Sequence, residues 1–320
     1  MRTITAETIT KAHERIAPFV RRTPLIELGK SAIHLKLENT HLGVHAFKIR
    51  GVWNRLKDEK AEHIVAAAIG SHGFAVGFVC KALGKKSTCF MPETAPEEKK
   101  EKMRRMVDEV IIFGKEFSET EQAAADYAKA TGVPFIHPYN DEQIIAGQGT
   151  IGLEIACVND LTDVFVPVGG GGLLAGVASY LKEEVPVVRI YGVQPAVMHS
   201  MATSVENGII TKSEHAQSLA EPLGINPNPD TMTFEYIQRY IDGFILPRED
   251  QIRAAMCMIH MQTGHIVEGA GAIAVAAALI VRNKQRIANG RSVCIVSGGN
   301  ISEEKFAIEM SRVNPERMLI

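Results

Sequence analysis

The chain has 320 residues, enough for about two domains at roughly 100 to 200 residues per domain, and 46% of its residues are hydrophobic. Its 35 basic and 37 acidic residues give a formal net charge of −2, so no excess of positive charge favours nucleic acid or an anionic membrane as partner. This composition excludes a disordered chain, a collagen and a small disulfide scaffold.

Short apolar runs alternate with helical stretches, the pattern of an α/β protein with mostly parallel sheets flanked by helices. Polar–apolar alternation predicts a strand at residues 33–38, and apolar runs predict buried parallel strands at 64–69, 87–91, 109–113, 164–168, 188–193 and 293–297. Helices are predicted at 5–17, 48–56, 72–83, 95–106, 118–131, 140–157, 173–184, 248–262 and 270–289. Thr5 and Ser118 are suitable N-cap residues for the helices that they open.

The region 64–138 is a self-contained run of strands and helices, and the sequence on either side can build a larger sheet. We therefore predict a small domain of residues 64–138, inserted into a large cofactor-binding domain formed by residues 1–63 and 139–320. A cleft between two such domains is the natural place for a ligand.

The N-terminal segment lacks the apolar run of a signal peptide, and the longest apolar stretch, residues 271–281, is too short to span a bilayer. We expect a cytoplasmic protein that does not bind membranes. The five cysteines include no C-x-x-C pair, which argues against a disulfide framework and against a thiolate zinc site. We expect these cysteines to be reduced and to pack as small apolar side chains.

Four consecutive glycines separate a predicted buried strand from a predicted helix that opens with Leu173: Gly169, Gly170, Gly171 and Gly172. Without Cβ atoms, several backbone N–H groups can converge on one anion at the positive end of the helix dipole. This arrangement favours a phosphate-binding loop over a flexible turn. Residues 170–175 also fit the dinucleotide pattern G-x-G-x-x-A, but the acidic residue expected about 20 residues later is absent and no G-K-S or G-K-T is present, so the sequence leaves the identity of the phosphate open.

Three further residues are candidates for ligand binding or catalysis because of their chemistry and position. Ser297 ends a predicted strand, where its hydroxyl either faces a ligand crevice or belongs to an ordinary turn. Glu268 is either a ligand-binding residue or a charge at a helix N-terminus. Lys48 stands at a loop-to-helix junction between apolar Phe47 and Ile49, and desolvation there would lower the pKa of its amine and make it nucleophilic. Taken alone, Lys48 is interpreted as a surface lysine.

Together these motifs resemble, nearly end to end, the pyridoxal-phosphate-dependent enzymes of the tryptophan-synthase β fold (fold type II), most closely the threonine/serine dehydratases and serine racemase. In chain order the matching motifs are Arg22-Thr23-Pro24-Leu25, Leu35-Lys36-Leu37-Glu38-Asn39, Phe47-Lys48-Ile49-Arg50-Gly51, Gly70-Ser71-His72-Gly73, Ala146-Gly147-Gln148-Gly149-Thr150-Ile151, the four glycines, Val267-Glu268-Gly269-Ala270-Gly271-Ala272 and Ser297-Gly298-Gly299-Asn300. The resemblance implies a two-domain α/β fold with its active site in the interdomain cleft, pyridoxal 5'-phosphate as cofactor, an amino-acid substrate, and a homodimer or homotetramer.

The resemblance also implies a role for each matching residue. Lys48 forms the Schiff base with the cofactor, Phe47 packs on the cofactor ring, and the four glycines with Leu173 hold its phosphate. Ser297 hydrogen-bonds the pyridine nitrogen, and Glu268 and Ser71 belong to the cofactor-binding set. A neutral serine at the nitrogen stabilises the carbanion at Cα weakly, so expulsion of a β-leaving group is favoured. Lys48, once released, would be the base that takes the Cα proton.

The chain departs from these relatives in the loop that binds substrate. Where they have S-S-G-N-H or S-A-G-N-H, this chain has Ala68-Ile69-Gly70-Ser71-His72. The serine hydroxyls that hold the substrate carboxylate in these relatives are therefore absent, and Ser71 replaces the asparagine that faces the 3-oxygen of their cofactor. We expect the substrate to be bound by Ala68, Gly70, Ser71, His72 and Gly73. The backbone N–H groups at the helix start would receive the carboxylate, and His72 would add charge or a hydrogen bond, unless it is a structural histidine.

Serine racemase places a glutamate and an aspartate at its cation site, where this chain has Gln194 and Ser200. With both carboxylates lost, we expect no metal. The favoured function is a dehydratase and ammonia-lyase that converts a 3-hydroxy amino acid, such as threonine or serine, to a 2-keto acid and ammonia. The alternatives are β-replacement or elimination on another β-substituted amino acid, and a non-catalytic paralogue that binds amino acids. Retention of Lys48 together with the phosphate loop and Ser297 argues against the paralogue.

Overall fold

The computed structural model of the protein describes residues 3–214, 216–283 and 290–313. The helices in these residues are α1 (Ala6–Ile16), α2 (Lys48–Leu56), α3 (Ser71–Ala82), α4 (Glu97–Met106), α5 (Phe117–Thr131), α6 (Glu142–Ile155), α7 (Gly172–Glu184), α8 (Ser200–Asn207), α9 (Thr233–Tyr240), α10 (Glu249–Thr263), α11 (Gly269–Asn283) and α12 (Glu303–Ser311). The strands are β1 (Leu25–Glu27), β2 (Ile33–Leu37), β3 (His63–Ala67), β4 (Lys86–Met91), β5 (Glu109–Ile112), β6 (Phe135–Ile136), β7 (Leu161–Pro167), β8 (Arg189–Val193), β9 (Gly243–Ile245) and β10 (Arg291–Val296).

The larger of two sheets has the strand order β1-β2-β10-β7-β8-β9. Neighbouring strands are parallel except β1 and β2, which pair antiparallel with Leu25 opposite Lys36. Helices cover both faces: Val164 and Val166 of β7 pack in the cluster that includes α1, α6 and α7, whereas Phe165 packs with α10 and α11. Because neighbouring side chains point to opposite faces and both faces are buried, residues 164–167 of this strand form an unbroken apolar run.

The smaller sheet has the order β5-β4-β3-β6, and all its pairs are parallel. Each of its strands lies between residues 63 and 136. Val65 and Phe90 pack against Ala124 of α5 on one face, and Cys89 packs with Phe74 and Met103 on the other face. The chain enters this sheet after α2 and leaves it before α6.

Each predicted strand and helix is present, with ends within a few residues of those predicted. The structure adds β1, β6 and β9, and it adds the helices α8, α9 and α12. Thr5 is confirmed as an N-cap, since its side chain accepts a hydrogen bond from the Thr8 amide. The prediction for Ser118 is wrong, because α5 begins at Phe117 after the N-cap Glu116. Residues 284–289 of the last predicted helix lie outside the described residues.

Across the described ranges, no helix is both long enough and apolar enough to cross a membrane.

Candidate active site

Lys48 is the first residue of α2 and is half-buried. Its Nζ donates a hydrogen bond to the Pro138 carbonyl at 2.6 Å and lies 5.2 Å from the centre of the Phe47 ring. Burial lowers the pKa of this amine to about 8, because desolvation disfavours the ammonium form. The free amine, which is the nucleophilic and basic form, is therefore far more abundant at neutral pH than in an ordinary lysine.

The loop before α2 is joined to the loop after β10. The Phe47 amide donates to the Ser297 carbonyl at 3.1 Å, and Ala46 forms a bridge with Gly298. The Ser297 side chain is buried, and its hydroxyl donates to the Ala270 carbonyl at 2.9 Å. The structure therefore brings Phe47, Lys48 and Ser297 together, as the sequence predicts.

The four glycines follow β7 and lead into α7. Gly171 is the N-cap of α7 and has a φ of 90°, a left-handed conformation that favours glycine. A Cβ on Gly170 would collide with the Tyr139 ring, and one on Gly172 would make a tight contact with Tyr139. Leu173 is buried behind the loop.

Within the described part of the chain, the backbone N–H groups of Gly169, Gly170 and Gly171 donate to no acceptor. Grouped, unpaired donors at a helix N-terminus are the chemistry that a phosphate requires. The loop therefore fits the phosphate of a cofactor.

The substrate loop leads from β3 into α3. Ala68 and His72 are buried, while Gly70 and Ser71 are half-buried. A Cβ on Gly70 would meet no heavy atom of the described residues within 4 Å, whereas one on Gly73 would meet Met103. Open space therefore adjoins the loop at Gly70, where a ligand can lie, and Gly73 faces the packing of α4.

His72 is held by the Ile136 carbonyl, 2.9 Å from its Nε2. Because a carbonyl only accepts, Nε2 carries the hydrogen and Nδ1 is the acceptor. Burial lowers the pKa of the ring to about 3, with smaller contributions from Lys48 and His137. Of the two contributions expected of His72, a charge or a hydrogen bond, this lowered pKa favours the hydrogen bond. Among the residues described, Nδ1 has no hydrogen-bond partner, so it is a buried acceptor close to Lys48.

Residues 137–140 were given no role by the sequence analysis, yet they connect Lys48 with the glycines. Pro138 bonds Lys48, and the Tyr139 ring lies against Gly170. His137 accepts hydrogen bonds at Nδ1 from the amides of Tyr139, at 3.2 Å, and Asn140, at 2.9 Å. Burial, with a smaller contribution from Lys48, lowers the pKa of His137 to about 4. These four residues form a wall of the candidate site directly after β6. Because no sequence pattern predicts β6, the sequence does not identify this wall.

Glu268 directly precedes α11, and its carbonyl accepts from the Gly271 and Ala272 amides. Its side chain lies beside Gly298, so it stands both at a helix N-terminus and next to the Ser297 loop. Burial raises the pKa of its carboxyl, and nearby Lys99 and Lys102 oppose that rise.

A buried ionic network anchors α2 two residues beyond Lys48. Arg50 donates to both carboxylate oxygens of Glu38, at 2.7 and 2.8 Å, and to both of Glu154, at 2.7 and 3.1 Å. Lys36 also bonds Glu154. All four side chains are buried, and the two charges of each sign balance. Glu38 and Arg50 stand in the matching motifs, but the sequence does not reveal their pairing with Glu154.

A cleft of 390 Å³ lies between α3, α4 and the loop after β10. Its wall includes Phe74, Lys102 and Asn300 but not Lys48. Ser71 does not line the cleft either, although the side chain of Asn300 in its wall bonds the Ser71 hydroxyl.

Comparison with known proteins agrees with this geometry. The family model of pyridoxal-phosphate dependent enzymes matches residues 16–298. The chain is similar to the catabolic L-threonine dehydratase TdcB of Staphylococcus aureus, with 38% identity over 306 residues that cover 92% of this chain and 88% of the relative.

Two solved structures are also similar to the chain. One is the processed form of threonine deaminase isoform 2 from Solanum lycopersicum, with 30% identity and a TM-score of 0.85 over 95% of this chain and 93% of that chain. The other is maize serine racemase, with 29% identity and a TM-score of 0.87 over 97% and 98%. These matches confirm the predicted fold class and cofactor. The chain belongs to the family of pyridoxal-phosphate-dependent enzymes.

Proposed function

We propose that this enzyme is an ammonia-lyase that removes water from a 3-hydroxy amino acid, such as threonine or serine, and yields a 2-keto acid and ammonia. The observation that carries the proposal is Lys48, a half-buried amine whose pKa is lowered to about 8. Residues 137–140 connect this lysine to the glycine loop and its unpaired N–H groups. The names of the relatives, threonine dehydratase and threonine deaminase, support this reaction class.

In this proposal the cofactor is held by residues that the fold brings together. Lys48 would hold the cofactor at its aldehyde, and Phe47 would pack on the ring. Ser297 would bind the pyridine nitrogen with Glu268 nearby, and Ser71 would bind the 3-oxygen. The phosphate is held by the backbone of residues 169–173. When bound, the cofactor supplies an electron sink that stabilises the negative charge left when Cα loses its proton.

The protein's own groups handle the proton and orient the substrate. Lys48 takes the Cα proton at Nζ, for which a pKa of about 8 is well matched to neutral pH. The substrate carboxylate is received by backbone N–H groups at the start of α3, from Gly70 to Gly73, because Ala68 has no hydroxyl to donate. His72 stays neutral and accepts a hydrogen bond at Nδ1.

We further propose that residues 64–138 form a small domain inserted between residues 1–63 and 139–320, with the active site between them. The smaller sheet, whose strands begin at His63 and end at Ile136, supports this division. The family resemblance supports a homodimer or homotetramer, which light scattering during gel filtration tests. All five cysteines are free, and this supports a cytoplasmic location.

The test of the proposed function compares the visible spectrum of the purified protein with those of two variants. Lys48→Ala should lose the absorption band of lysine-bound cofactor, whereas Lys57→Ala, at the other end of α2, should retain it. L-threonine, L-serine and bulkier 3-hydroxy amino acids are then supplied with keto-acid detection. Keto acid should form from at least one of them, and Lys48→Ala should lower that rate by roughly a thousandfold or more.

Two other results would change the conclusion. A band that shifts with amino acids but gives no keto acid would replace the dehydratase with a β-replacement enzyme or a binding paralogue. The absence of any band would overturn the attachment of cofactor at Lys48.

A further inference from the structure

The side chain of Asn300 connects the loop after β10 to Ser71. Its Nδ2 donates to the Val44 carbonyl and to the Ser71 Oγ, both at 2.9 Å. Its Oδ1 accepts from the Lys102 Nζ at 2.7 Å. Each polar atom of this amide thus has a partner, and the partners come from the loop before Lys48, from α3 and from α4.

Two of these partners determine which way the amide faces. An ammonium group only donates, so Lys102 must face Oδ1, and a carbonyl only accepts, so Val44 must face Nδ2. The remaining hydrogen on Nδ2 is therefore directed at Ser71. Lys102 is itself held in place, since its Nζ lies 4.6 Å from the centre of the Phe74 ring.

This orientation determines how the Ser71 hydroxyl bonds. Because Ser71 accepts from Asn300, its own hydrogen remains available to donate to another group. In related enzymes an asparagine stands at this position, whereas Ser71 is shorter and has one rotatable hydroxyl. A hydrogen bond accepted by the hydroxyl oxygen restricts the directions in which the hydroxyl can donate and strengthens the bond that it donates.

We infer that Asn300 is a positioning residue that directs the Ser71 hydroxyl hydrogen toward the 3-oxygen of the cofactor, and that this contact serves in place of a direct asparagine contact. The inference rests on the proposed function, in which Ser71 faces that oxygen. Asn300 is the last residue of the motif Ser297-Gly298-Gly299-Asn300, which matches the family.

The test reverses the polarity of the Asn300 contact without changing its shape. In Asn300→Asp the side chain keeps its length and its bond to Lys102, but a carboxylate only accepts. It therefore loses the bond to the Val44 carbonyl, and Ser71 must donate to it and loses its bond to the cofactor. Ser71→Ala removes the hydroxyl outright. Each change should raise the cofactor dissociation constant of the full-length apoprotein about 3- to 10-fold, the effect of one hydrogen bond, and should shift the visible band of the bound cofactor.

The decisive measurement is the double variant. Each substitution raises the dissociation constant by a certain factor. If Asn300 acts through Ser71, the factor for the double variant should be smaller than the product of the two separate factors by at least about threefold. Ser302→Asp is the matched control, because it adds a carboxylate to the wall of the same cleft at an N-cap position that accepts aspartate. Its effect should multiply with that of Ser71→Ala. Thermal unfolding of each apoprotein verifies that the variants fold.

Multiplicative effects of Asn300→Asp and Ser71→Ala would overturn the inference. It would also be overturned if Ser71→Ala left both the dissociation constant and the band unchanged, while the band that depends on Lys48 would still support the proposed function. A wild-type protein that binds no cofactor would instead remove the proposed function, and the inference with it.

Discussion

Raising the pH of the cofactor-free protein should make Lys48 reactive well before its other lysines. With a pKa of about 8, about 9% of this amine is neutral at pH 7, against about 0.03% for a lysine at the ordinary value of 10.5. The lowered pKa thus increases the nucleophilic fraction roughly 300-fold. The rate at Lys48 should rise about tenfold between pH 7 and pH 9 and then level off, whereas an ordinary lysine gains about a hundredfold over that interval.

Competitive labelling measures this difference within one sample. Trace acetic anhydride is reacted with the apoprotein from about pH 6 to about pH 11, and peptide mass spectrometry reports the rate at each lysine. Lys11 is the internal control, since its exposed contact with Glu7 raises its pKa. A rate at Lys48 that keeps rising in parallel with that at Lys11 would show that burial does not activate the amine. Added cofactor should protect Lys48 and leave Lys11 unprotected.

Three further outcomes are expected. Acidification from pH 7 to pH 5 should lower the free energy of unfolding by about 2 kcal/mol through His72. The unfolded ring, with a pKa of 6.5, binds a proton in this range, whereas the folded ring, with a pKa of about 3, does not. In urea titrations of the apoprotein, His72→Gln should lose this part of the pH dependence. Arg50→Met should cost about 3–5 kcal/mol in the same assay, since it leaves two buried carboxylates short of their main partner, whereas Lys11→Met, which removes an exposed pair, should leave the midpoint nearly unchanged. Gly170→Ala should weaken cofactor binding about tenfold or more, because its Cβ collides with Tyr139 and displaces the loop; cofactor affinity equal to that of the wild type would mean that the loop does not hold the phosphate.

Most of the fold follows from apolar runs whose length and period are set locally. The strands β7 and β10 each contain an apolar run that is buried on both faces, residues 164–167 and 293–296, and these runs identify the strands without any knowledge of their neighbours. The strands that the sequence analysis missed, β1, β6 and β9, have two or three residues each. Such short segments become strands because a neighbour pairs with them, and their own composition carries little information about that pairing.

The residues of the candidate site also fall into those that the local sequence identifies and those that it does not. Lys48 and the four glycines are recognisable because their chemistry depends on neighbours in sequence. His137 lies near Lys48, and Asn300 bonds Ser71 across 229 residues of sequence, so both contacts depend on the tertiary fold. The neutrality of His72 is a consequence of its burial beneath Ile136, which the amino-acid pattern of α3 does not specify.

That neutrality bears on the choice between water elimination and β-replacement. Because the His72 Nδ1 only accepts, it cannot bind a carboxylate, an ester or a phosphate, and it requires a substrate group that donates. A β-hydroxyl or an ammonium group meets this requirement, whereas the acyl group of an O-activated serine does not. With a pKa of about 3, the ring remains an acceptor throughout the physiological range. His72→Phe should therefore lower kcat/KM for L-threonine about tenfold or more, the loss of one buried hydrogen bond, while changing the inhibition constant of O-acetyl-L-serine little. If His72→Phe weakened binding of O-acetyl-L-serine as much as it lowered kcat/KM for L-threonine, the Nδ1 contact would lie on the amino group that both ligands share. This argument for a dehydratase would then be removed.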